Sequence, residues 1–63
     1  MKNLNDLVPG RIMFLKNDRA EAYNRKPAVE FVRLEPRPGY KVPFIVGIDS
    51  QGEQGAFKPS DFI

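Results

Sequence analysis

Apolar and polar residues alternate most clearly from Tyr40 onward, where Tyr40, Val42, Phe44, Val46 and Ile48 are interleaved with Lys41, Pro43, Ile45, Gly47 and Asp49. A period of two sends successive side chains to opposite faces of a strand. The pattern predicts a strand over 40–48, with Val42, Phe44, Val46 and Ile48 turned to the core and Lys41 and Ile45 turned away. Pro43 has no N–H and belongs at an unpaired or edge position.

Three further runs read as strands. Arg11 to Lys16, "RIMFLK", is too short for a helix and is bounded by charge. Pro27 to Glu35, "PAVEFVRLE", does not alternate cleanly, because Val29 and Phe31 share one face while Val32 and Leu34 share the other. A bulge near Phe31 would bring both pairs inward. Gly55 to Lys58, "GAFK", is the fourth run.

Turn chemistry separates these runs. Pro9-Gly10, "PRPG" at 36–39 and "DSQGEQG" at 49–55 are turn and loop signals. Asn17 to Lys26 is polar and reads as a long loop, although Ala20, Glu21 and Ala22 could form one helical turn. Pro59, Ser60 and Asp61 break the last strand, yet Phe62 and Ile63 follow. One turn of 3₁₀ helix at 59–61, then a short fifth strand with at least one side chain plugging the core, accounts for that ending. The expectation is an all-β fold: a small barrel of about five short strands with a terminal 3₁₀ turn, in a single domain over 1–63.

Composition narrows the chemistry. At 63 residues one small domain is expected, burying only about 60% of its unfolded surface. The chain has no Cys and no His. A disulfide-stapled scaffold, a thiolate or imidazole metal site and a His general base are therefore excluded. No run is apolar enough to span a membrane, and "MKNLNDLVPG" lacks the apolar centre of a signal peptide. A cytoplasmic protein of a bacterium or phage is expected, with no cofactor.

The net charge is +2, from ten basic and eight acidic residues, without the basic stripe of a dedicated nucleic-acid binder. Two basic and aromatic groupings stand out: Arg19, Tyr23, Arg25 and Lys26 in the long loop, and Arg37, Tyr40 and Lys41 at the next turn. Arg with Tyr can anchor a protein interface or clamp phosphates and stack bases. The same residues can equally be solvated charges, with Tyr40 part of the core stripe. Catalysis without His or Cys would fall to Glu21, Arg25, Lys26 or Asp49 as carboxylate base and phosphate clamp. The acidic positions Asp49, Glu53 and Asp61 are too few and too widely spaced for a calcium site. The expected function is a non-catalytic binding module for another protein, with RNA binding or cleavage as the alternative.

"GAFKPSDFI" resembles the end of Src-homology-3 domains, where a Gly-rich strand runs into a Pro-Ser-polar-aromatic-aliphatic segment. The chain has no Trp and no acidic-aromatic segment, so the resemblance implies the barrel and not the proline-peptide ligand. A second resemblance is to the small barrel toxins of the PemK and MazF type. Gly10 opens an apolar strand, Glu21 lies in the following loop, "RKPAV" comes next, and "GYKVPFIVGIDSQGEQGAFKPSDFI" is similar to their strand–loop–strand region. If it carries function, that resemblance implies RNA binding or cleavage, with Glu21 taking the proton of a ribose 2′-hydroxyl and Arg25 or Lys26 holding the phosphate. Arg11 stands where the family prefers Asp, Lys26 stands where it prefers Arg, and its Ser/Thr-bearing strand and final helix have no counterpart.

Overall fold

Charge and Pro-Gly punctuation cut the chain into short elements, and a computed structural model describes them over residues 7–63. In chain order they are β1 (Ile12–Phe14), α1 (Asn17–Ala22), β2 (Ala28–Glu35), β3 (Phe44–Asp49), β4 (Gln54–Phe57) and a 3₁₀ turn at Pro59–Asp61. The four strands form one antiparallel sheet in the order β1-β2-β3-β4. Each strand thus pairs with its sequence neighbour, the commonest arrangement for consecutive strands.

The bulge expected in β2 is present. Phe31 pairs with Gly47 and Arg33 with Val46, so Val32 has no direct partner, and it stays half-buried outside the core cluster where the sequence pattern would turn it inward. Directly opposed residues share a face. The extra residue therefore puts Leu34, opposite Ile45, on the same side as Val29 and Phe31. That side carries the core of Met13, Leu15, Ala20, Val29, Phe31, Ile45, Phe57 and Phe62, with Leu7, Tyr23 and Leu34 packed against it.

β3 departs in part from the alternation read from the sequence. Ile45 is fully buried in the core, while Val42 is 50% and Tyr40 54% exposed and lie outside any strand. Phe44 and Val46 are buried, as expected, but with the half-buried Ile48 they lie on the face opposite that core cluster, alongside Ile12, Glu30, Arg33 and Glu35. Both alternating sets contain apolar residues, and two details select the inner one. Gly47 faces Val29 and the Glu30 carbonyl so closely that a Cβ there would press on both. Asp49 is buried, but it is paired with Arg25. A glycine that admits a neighbour and a neutralised carboxylate can both face a core, although each reads as polar in a hydropathy pattern. Pro43 precedes the first paired residue of β3, as its missing N–H requires.

Asn17–Ala22 is a helix where the polar composition suggested a loop. Six residues are too few for a periodic signal, and such a helix is marginal alone. It is held here by burial of Ala20 in the core. Its end is a Schellman turn: Arg25 N–H reaches the Ala20 carbonyl at 2.9 Å and Asn24 N–H the Glu21 carbonyl at 3.0 Å. Asn24 takes the left-handed conformation, φ 55°.

The 3₁₀ turn at 59–61 forms as expected. After it, Phe62 bridges Leu15, with Ile63 N–H bonded to the Phe14 carbonyl and Lys16 N–H to the Asp61 carbonyl. Phe62 is buried and is the plug, whereas Ile63 is 78% exposed. The pairing stops at that single bridge, so among the described residues the sheet has four strands and stays open. No helix of the described residues is long and apolar enough to cross a membrane.

Candidate functional site

The Schellman turn after α1 sends Arg25 back under the sheet. Its Nη1 donates to Asp49 Oδ2 at 2.9 Å and to the Glu53 carbonyl at 3.3 Å, and its guanidinium lies 5.3 Å from the centre of the Phe57 ring. Asp49 Oδ1 accepts the N–H groups of Gln51 and Glu53, both at 2.9 Å. The Glu53 N–H foremost, then that of Gln51 and the Arg25 cation, hold the Asp49 carboxyl below the usual carboxylate range against the opposing effect of burial. Arg25 and Asp49 therefore fasten the β3–β4 loop to the chain after α1.

A second carboxylate ties α1 to the 3₁₀ turn. Asp61 is buried. It accepts Arg19 Nε at 3.2 Å, the Tyr23 hydroxyl at 2.6 Å and Lys58 N–H at 3.2 Å. Tyr23 also packs edge-on against Phe57 at 5.5 Å. Of the first grouping named in the sequence, Arg19, Tyr23 and Arg25 thus serve the fold, and Lys26 alone points to solvent without a side-chain partner among the described residues.

Glu21 is exposed on α1, and no ion pair joins it to Arg25 or Lys26 among the described residues. Asp49 and Asp61 belong to separate networks. Among the described residues no group of three or more acidic side chains could hold a metal ion.

The second grouping is open. Pro36 and Pro38 stiffen the β2–β3 connection, and Tyr40 N–H reaches the Arg37 carbonyl at 3.3 Å across Pro38 and Gly39. Gly39 has φ 85°, the value a type II turn demands at its third position and glycine supplies without strain. The turn folds Arg37 and Tyr40 onto Phe44. The guanidinium sits 4.3 Å from the ring centre and Tyr40 meets the ring edge-on at 4.9 Å. Phe44 is buried as a result, while Tyr40, Lys41 and Val42 remain exposed.

Glu35 fixes the arginine. Its Oε2 accepts Arg37 Nε at 2.7 Å and lies 2.6 Å from Arg37 Nη2 in an ion pair, and its Oε1 accepts Arg33 Nη2 at 3.3 Å. The hydrogen bond from Arg37, reinforced by both cations, lowers the Glu35 pKa.

Sequence reasoning placed Arg37, Tyr40 and Lys41 together but missed Val42, Arg33 and Glu35. The alternation had assigned Val42 to the core, and Arg33 and Glu35 become neighbours only through the strand and turn that follow the bulge. It also missed Ile12 and Phe14, 51% and 52% exposed on the outer face of β1. No family model matches the chain, and no curated protein or solved structure matches it.

Proposed function

We propose that the chain is a non-catalytic binding module that holds a protein partner through the turn at 36–42. One observation carries the reading: Tyr40 is 54% exposed yet packed edge-on against Phe44, beside an Arg37 stacked on the same ring. Tyr and Arg dominate interface hot spots, and side chains already immobilised lose little freedom when a partner arrives. Lys41, exposed directly after Tyr40, is taken into the site, and Lys26 is exposed in the separate segment after α1. Arg19, Tyr23 and Arg25 are withdrawn from the surface proposed on sequence, because each is engaged on a buried carboxylate.

The Phe62–Leu15 bridge supports describing the curled sheet as a rudimentary Src-homology-3-like barrel. The absence of Cys and the small size suit a cytoplasmic accessory or regulatory protein of a bacterium or phage.

The test is retention of a partner from a lysate of the source organism, with and without nuclease, by the native chain, by Arg37→Ala/Tyr40→Ala and by Tyr23→Phe. The expected result is a protein retained after nuclease treatment by the native chain and by Tyr23→Phe, and lost by the double variant. Retention that disappears with nuclease, or that the double variant preserves, overturns the reading.

A further inference from the structure

We infer that the turn site takes an acidic segment carrying an apolar anchor, an inference that rests on the binding-module reading above. The argument is charge complementarity. Arg33 and Arg37 both pair with one carboxylate, Glu35, and Lys41 is exposed next to Tyr40 on the following turn. The chain has ten basic and eight acidic residues, so removing these three and this one leaves seven of each. With Glu30 on the same outer face counted in, this corner keeps a surplus of one positive charge within a chain of net charge +2.

The cations are partly free to act. Both Glu35 oxygens are taken by guanidinium groups, and Arg37 keeps Nη1 without a hydrogen bond among the described residues. An incoming carboxylate finds a planar donor already aimed by its stack on Phe44. Beside it, Tyr40 and Val42 present exposed apolar surface, 54% and 50% open.

A nucleic-acid strand fits less well. Its phosphates need cations along a track, whereas here Glu35 sits between the arginines, and Glu30 lies on the same outer face of β2. A short acidic segment satisfies the local surplus, and one aliphatic or aromatic side chain covers Val42 and Tyr40.

The experiment is ¹⁵N chemical-shift mapping on the full chain with four probes. They are a peptide of Asp and Glu flanking a Leu-Trp pair, the same peptide with Lys for the acids, the acidic peptide with Ser for Leu-Trp, and an oligouridylate. The first peptide is expected to shift the amides of Arg37, Lys41 and Val42 and to bind more tightly than the other three. Arg37→Ala should weaken it about tenfold or more, the worth of one lost hydrogen bond to a charged group. Equal binding of the Lys peptide, tighter binding of the oligouridylate at these amides, or no shift with the acidic peptide overturns the inference. In each of those cases, a captured protein that still moves the same amides leaves the module reading standing. If that protein leaves them unmoved, the module reading falls as well.

Discussion

Ile45→Ala set against Val42→Ala separates the observed register of β3 from the one its sequence alternation suggests. Ile45 is wholly buried, with Leu34 opposite it on β2 and Phe57 on β4. Removing its outer carbons leaves a cavity walled by two strands that cannot collapse inward, so a loss in the usual range of about 2–5 kcal/mol is expected. A domain of 63 residues has a total stability of roughly 3–9 kcal/mol on the common per-residue scale. The substitution therefore removes much of it. Val42, half exposed and outside the sheet, should change stability by no more than about 0.5 kcal/mol. Urea denaturation followed by far-ultraviolet circular dichroism reads both. With a slope near 1 kcal/mol per molar, typical of the smallest domains, the Ile45→Ala midpoint falls by about 2 M or more. Should that variant not fold, Ile45→Val, expected to lose about 0.5–1.5 kcal/mol, gives the same comparison. A greater loss in Val42→Ala than in either Ile45 variant would refute the register and restore the simple alternation.

Two further outcomes follow from the inner face. The Asp49 carboxyl is held below its unfolded value of about 3.9. Its contribution to stability is therefore complete above about pH 4 and is lost as pH falls through the folded value, so the thermal midpoints of the native chain and Asp49→Asn should converge on acidification, and a constant gap would show that the carboxylate is not the stabilising form. Gly47→Ala forces a Cβ against Val29 Cγ1, its nearest neighbour, and to 3.0 Å from the Glu30 carbonyl oxygen, an overpacking expected to cost about 1–3 kcal/mol; in urea denaturation the same change should cost less in a Val29→Ala background than in the native chain, and an equal cost in both would show that Val29 is not the obstacle.

The parts of the fold that were legible are those written in local chemistry. The β2 bulge followed from two apolar pairs facing opposite ways, the 59–61 turn from Pro-Ser-Asp, and the burial of Phe62 from the need to bring it back to the core. The β3 register was not legible, because its deciding facts are long-range: the space Gly47 gives to Val29, and the reach of Arg25 to Asp49, 24 positions away. The helix α1 was hidden for a similar reason. Nothing in Asn17–Ala22 favours a helix strongly, and Ala20 earns its place only when the core is there to receive it.

The site shows where residue type stops being informative. Arg with Tyr occurs twice, as Arg19 with Tyr23 and as Arg37 with Tyr40, and the sequence gives no ground to treat them differently. What distinguishes them is the carboxylate each arginine meets. The side chains of Asp61 and Asp49 are 5% and 1% exposed, whereas that of Glu35 is 30% exposed. A buried carboxylate must keep its cation, since removing it strands a charge in the interior. An exposed one can share its arginine with a partner without stranding a charge in the interior. Arg19 and Arg25 are thus committed to the fold, while Arg37 is aimed by Glu35 and Phe44 and still able to turn its remaining donors to a partner.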